Sequence, residues 1–143
     1  MNVETILGSK GRDVLTIPPD ASVLDASNNL SSGKIGALVV SHDGETALGI
    51  LSERDIANAI GISGAAVLSE TVDSPMTRDL RTCALDDTMH EVLSVMTERR
   101  FRHLPVIEDG KLCNIVSIGD VVKSRLAKIT RESDAMREYI TSN

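Results

Sequence analysis

The stretch "GILSERDI", residues 49–56, decides how the chain is read. An apolar, strand-like run stops at Ser52, and Asp55 stands three residues on, where a helix should begin. The same figure closes a second apolar run in "NIVSIGDV", residues 114–121, with Ser117 and Asp120. Working outward, the two surroundings match. "DASVLDA" (20–26) answers "DDTMHEV" (86–92), and "IGALVV" (35–40) answers "FRHLPV" (101–106), each at an offset of 66, while Asp55 and Asp120 stand 65 apart. The slip of one residue falls just after Asp43-Gly44 and Asp109-Gly110, dipeptides that favour hairpin turns and tolerate an added residue. The chain is an internal duplication.

Each copy reads as β-α-β-β-α. A short strand (14–17 or 81–84) precedes a helix. The apolar positions of that helix, Val23, Ala26 and Leu30, or Met89, Val92, Leu93 and Met96, recur at helical spacing. Ser22 and Asp87 are the expected N-caps. Two strands joined at the Asp-Gly turn follow, and a second helix starts at Ser-x-x-Asp. In the second copy Ile118, Val121, Val122, Leu126 and Ile129 line one side of it; in the first, Gly61 is the expected C-cap. The leader "VETIL" (3–7) and the linker "TVDSPM" (71–76) hold equivalent places before each copy. One unit is too small to bury its own sheet, so the copies should pack together. The expected fold is α+β (α/β): two repeats packed as a pseudo-twofold pair, with helices on one face of small mixed sheets. The expected divisions are 1–66, 67–130 and a C-terminal helix over 131–143, with Met136, Tyr139 and Ile140 on one face.

Bulk properties narrow the function. The chain has 143 residues, 41% hydrophobic and 25% charged, with Phe101 and Tyr139 its only aromatics. Its core must therefore be aliphatic. No run approaches the roughly 20 apolar residues of a membrane span, and no signal peptide is visible at the N-terminus, so a cytoplasmic location is expected. A net charge of −6 argues against a nucleic-acid or anionic-membrane surface. Cys83 and Cys113 read as reduced small hydrophobes. His42, His90 and His103 lack metal-ligand spacing, so no metal is expected. No Walker loop, dinucleotide fingerprint or positioned nucleophile is present, and no enzyme is expected.

With "PPDASVLDA", "KIGALVV" and "GILSERDI" in one copy, and "LDDTMHEV", "RFRHLPVIEDGKL" and "NIVSIGDVV" in the other, the sequence resembles a tandem pair of cystathionine-β-synthase (CBS) domains, a Bateman module. The resemblance covers nearly the whole chain and is closest to stand-alone bacterial CBS-domain proteins. It implies a regulatory sensor that binds AMP, ADP, ATP, NAD or S-adenosylmethionine between the copies. It also implies a homodimer and an unidentified regulated protein; a ligand-free structural dimerisation module is the alternative. On the matching residues it implies that Asp55 and Asp120 hold ribose and that Ser52 and Ser117 are the neighbouring hydroxyls. It places the adenine edge along Thr16, Pro18 and Thr82, with Gly36, Ala37, Leu38 and Pro105 on the adjoining strands.

The residues themselves support both a binding and a plain structural reading. Serine with an acid three residues on nearly makes a capping box. The same helix start offers N–H donors and positive dipole to an anion, so the two readings are compatible. Arg99, Arg100, Arg102 and His103 form a basic cluster. Arg99 suits a helix C-terminus, whereas Arg100, Arg102 and His103, with Arg54, are phosphate candidates. The first copy has Gly36 and Ala37 where the second has Arg102 and His103, so the two sites should not bind one ligand equally. Replacing Asp120 is expected to remove the tighter event.

Overall fold

The computed structural model describes residues 1–8 and 14–141. Helix α1 (Val3–Leu7) is followed by β1 (Thr16–Ile17), α2 (Val23–Gly33), β2 (Ala37–Val40), β3 (Gly49–Ser52) and α3 (Glu53–Ser63). A 3-10 helix, Ala65–Ser69, leads to α4 (Met89–Arg99), β4 (His103–Glu108), β5 (Lys111–Ser117) and α5 (Ile118–Thr141). In the first copy β1 runs parallel to β2 and β2 antiparallel to β3, a mixed sheet. In the second, β4 and β5 form an antiparallel pair. The strand expected over 81–84 is reduced to a single parallel bridge, Cys83 to Val106, and the one expected over 14–17 shortens to Thr16–Ile17.

Each sheet buries one face against its helix. Leu38, Val40 and Leu51 pack on Val23, Ala26 and Leu30 of α2 and on Ile56 of α3. Leu104, Val106 and Val116 pack on Val92 and Met96 of α4 and on Val121 of α5. The leader and the linker are exchanged between these cores. Val3, Ile6 and Leu7, which precede the first copy, lie in the second core; Val72 and Met76, which precede the second, lie in the first. Backbone pairing enforces the exchange: Val3 and Glu4 donate to the carbonyls of Asp87 and Leu85, while Val23 donates to Glu70 and Val72 to Ala21. Each core is thus completed by chain from the segment that precedes the other copy.

Several expected boundaries move for local reasons. The N-cap of α4 is Thr88, whose hydroxyl accepts from Glu91 N, not Asp87. Asp87 instead accepts from Ala84 N at 2.8 Å, closing the preceding turn. Thr88 also lies 66 positions after Ser22, which caps α2 as expected. Helix α3 runs through Gly61 and ends at Gly64, whose φ of 78° is the left-handed geometry glycine tolerates. Asp109 and Gly110, φ 52° and 78°, make the tight two-residue turn of β4–β5. The first copy has a wider loop between Val40 and Gly49, pinned by Asp43, which accepts from Glu45 N and Thr46 N at 2.8 Å. Those amide donors hold the exposed Asp43 carboxyl at about 2, below its ordinary 3.8. The terminal helix expected from residue 131 is no separate element, because α5 continues unbroken from Ile118 to Thr141.

Candidate functional site

Strands β3 and β5 each deliver a serine to a helix start, and both Ser-x-x-Asp figures are capping boxes. Ser52 Oγ accepts from Asp55 N at 3.1 Å, and Asp55 Oδ2 accepts from Ser52 N at 2.9 Å. The distances repeat at Ser117 and Asp120, 3.1 and 2.9 Å. The first helical N–H is also committed in each copy: Glu53 donates to Gly36 O and Ile118 to Arg102 O. This ties the start of each helix to the chain segment leading into its own strand. The capping reading is therefore correct for both aspartates, yet each also lines a cleft between the copies.

The two clefts are related by the duplication, but their chemistry differs. The first, about 230 Å³, is walled by Gly36, Ile50 and residues 52–55 of copy one, by Thr77 just after the linker, and by residues 100–103 of copy two. Thr77 Oγ1 lies 3.4 Å from Asp55 Oδ1. Arg54, Arg100 and Arg102 outnumber Glu53 and Asp55, leaving a net charge of +1 with His103 neutral, on a chain of net −6. The second cleft, about 340 Å³, is lined by Lys34, Gly36 and Ala37 of copy one and by Asn114, Ile115, Ser117 and Asp120 of copy two. Among the described residues its one cation, Lys34, balances Asp120. His103 borders both clefts, its ring against Gly36, where an added Cβ would come within 3.1 Å of Nε2.

The packing is crossed: Arg100 and Arg102 of copy two line the cleft of Asp55 and not that of Asp120. Of the residues expected at the adenine edge, Gly36 and Ala37 border the clefts, and Pro105 borders a small extension of the first. Leu38 does not: it is fully buried in the first core. Thr16, Pro18 and Thr82 lie outside the cleft linings; Val14 and Leu15 take that place in copy one and Leu80 and Arg81 in copy two.

Several lining residues escaped sequence reasoning, though the repeat could have exposed some. Lys34 stands 66 positions before Arg100, and both end a helix with positive φ, 51° and 59°. Glycine commonly fills that position; here a long basic side chain stands at the edge of each cleft. Ile50 and Ile115 precede their serines by two, hence share a strand face with them. Arg81 has no counterpart, since Leu15 occupies its place. Its Nε is buried with no hydrogen-bond partner among the described residues. Neither cysteine borders a cleft. Burial, aided by Asp87 and Cys113, pushes the Cys83 thiol up to about 12.

Comparison with known proteins agrees with the duplication. The family model described as CBS domain matches twice, over residues 9–62 and 69–127. The crystal structure of the CBS-domain containing protein ATU1752 from Agrobacterium tumefaciens is 44% identical and superposes with a TM-score of 0.84 over 87% of this chain and 99% of that one. The CBS domain pair of protein MJ0100, in complex with 5′-methylthioadenosine and S-adenosyl-L-methionine, is similar in fold, with a TM-score of 0.78 at 23% identity over 90% of this chain and 98% of that one. So is the CBS domain protein PAE2072 from Pyrobaculum aerophilum complexed with AMP, at 0.73 and 21% over 84% and 89%.

Proposed function

This chain belongs to the CBS-domain family as a tandem pair, and on that premise we propose that it is a regulatory module that binds adenosine-containing ligands, with the phosphorylated ones in the Ser52 cleft. The observation that carries the reading is the meeting of a capping box from one copy with Arg100, Arg102 and His103 from the other. In this reading Arg54, Arg100 and Arg102 hold phosphate by forked, charge-assisted hydrogen bonds. Asp55 accepts from the ribose hydroxyls. The base lies toward the extension beside Arg81 and Pro105. The Ser117 cleft, whose charges balance among the described residues, takes a nucleoside-like ligand with little or no phosphate. Two fold neighbours bound to AMP and to S-adenosyl compounds support the ligand class. Ser52 and Ser117 act as caps and contacts rather than nucleophiles, and no catalytic step is assigned to them.

Signalling follows from the architecture. Each cleft has walls from both copies, so a bound ligand favours the copy arrangement it fits best, by its differential affinity for the two states. That arrangement is what a regulated partner protein would read. Calorimetry with AMP and with adenosine, on the wild type and on Arg102→Ala, tests the proposal. The expected result is about tenfold weaker AMP binding and unchanged adenosine binding in the variant, as for one lost charge-assisted contact. Equal losses for both ligands would refute the phosphate assignment, and no binding of either by the wild type would refute the sensor reading and leave the structural dimerisation module.

A further inference from the structure

We propose that His103 is a wall shared by the two clefts and couples them, so that a ligand held in one weakens binding in the other. The inference rests on the nucleotide reading and adds its regulation. Among the described residues, only Gly36 and His103 border both the Ser52 and the Ser117 cleft. The two meet. The imidazole lies so close to Gly36 that an added Cβ would stand 3.1 Å from Nε2 and 3.3 Å from Cε1. At that point the partition is one ring and one glycine.

The duplication explains why the ring is single. Gly36 and Ala37 stand 66 positions before Arg102 and His103. Copy one offers bare backbone and a methyl where copy two offers guanidinium and imidazole, so one ring serves two sites. The backbone on either side of it is held. Glu53 N donates to Gly36 O at 3.0 Å and Ile118 N to Arg102 O at 2.8 Å, which fastens each wall to the first turn of a helix. His103 itself pairs with Ser117 across β4 and β5. What is left to move is the half-buried side chain, confined to a few staggered positions. Gly36 has no positive φ, so its backbone does not demand glycine; the space taken by the ring does.

The sign of the coupling follows from the two sides. In the Ser52 cleft the ring stands with Arg100 and Arg102, where a phosphate draws its N–H. In the Ser117 cleft it stands with Asn114, Ser117 and Asp120, where a nucleoside edge or hydroxyl uses it. A ring turned to bond one ligand is turned away from the other, which then binds without that contact. One such contact corresponds to about a tenfold change in affinity. By linkage the factor is the same in both directions.

Calorimetric titration of AMP into the full chain at a series of fixed adenosine concentrations reads this directly. In the wild type the AMP affinity should fall and then level off about tenfold lower, and saturating AMP should weaken adenosine by the same factor. His103→Ala, whatever it does to AMP binding alone, should shrink that plateau to less than about twofold. Gly36→Ala keeps the imidazole but crowds its seat, holding the ring to one side whichever ligand is present, and should shrink the plateau too. A wild-type circular dichroism spectrum checks the fold of each variant. An AMP affinity that falls without limit as adenosine rises would mean simple competition for one cleft and would overturn the coupling. Affinities that ignore each other, or a plateau that survives both substitutions, would overturn it while leaving the nucleotide reading in place. No binding of either ligand would overturn both.

Discussion

Replacing Asp55 separates its two roles, because one carboxylate oxygen closes the helix cap while the residue also borders the cleft. Asp55→Ala removes the 2.9 Å bond from Ser52 N, about 1 kcal/mol, and an acidic group from the first turn of α3, about 0.5 kcal/mol. A total near 1.5 kcal/mol corresponds to a Tm lower by about 3–6 °C for a chain of this size. Asp55→Asn keeps a side-chain oxygen for the cap, so its drop should be less than half as large. Ligand affinity should fall in the same order. A carboxylate accepting from ribose hydroxyls contributes about 1.5–3 kcal/mol, and the neutral amide recovers roughly half of that. AMP affinity should fall about 10- to 100-fold in Asp55→Ala and close to tenfold in Asp55→Asn. Ser52→Ala, which removes the reciprocal 3.1 Å cap bond and a neutral cleft hydroxyl, should lower Tm by a similar few degrees and weaken AMP less than Asp55→Ala does. Thermal unfolding without ligand and calorimetry with AMP read both axes. If Asp55→Asn and Asp55→Ala lower Tm in that order yet bind AMP as the wild type does, the residue is a cap alone.

Three further outcomes follow from the packing and the titrating groups. Gly49→Ala places a Cβ 2.6 Å from Met76 Sδ and 3.0 Å from Thr77 O, where the linker bridges to β3. It should cost about 1–3 kcal/mol in urea unfolding, and a neutral result would show that the linker yields. The Asp43 carboxyl, lowered to about 2, contributes stability that is present above its unfolded value and lost as the pH falls from about 4 toward 2. The wild type should therefore lose its advantage over Asp43→Ala across that window in acid unfolding, and a pH-independent difference would contradict the turn assignment. Cys83, buried and pushed up to about 12, should resist alkylation at pH 8 while the half-buried Cys113 reacts. Equal labelling of the native protein would contradict the core assignment.

Local chemistry made much of this legible. Ser22, Ser52 and Ser117 cap their helices because a hydroxyl accepts from a free N–H group three residues on, joined at Ser52 and Ser117 by a reciprocal acid, and the second Asp-Gly turn needs only its own two residues. Misplacements came where the signal was ambiguous or distant. The run "ALVV" is buried along its whole length, so no alternation tells which residues face the core, and Leu38 was assigned to the cleft. In "RTCA" Cys83 is buried and Thr82 exposed, and Arg81 rather than Thr82 borders the cleft extension. Asp87 looked like an N-cap, yet its carboxylate closes the preceding turn. The exchange of leader and linker depends on contacts some 80 residues apart in sequence, as between Val3 and Asp87, and leaves no periodic trace. The pairing of each capping box with the opposite copy's strand arises only when the two repeats are packed.

The central claim, that phosphorylated adenosine ligands occupy the Ser52 cleft, is tested most directly by titrating AMP into ¹⁵N-labelled protein and following the amide spectrum. The account predicts that the earliest and largest shifts belong to residues 52–55, 77 and 100–103, with 114–120 moving only at higher concentration. Shifts confined to the Ser117 cleft, or none at millimolar AMP, would contradict it.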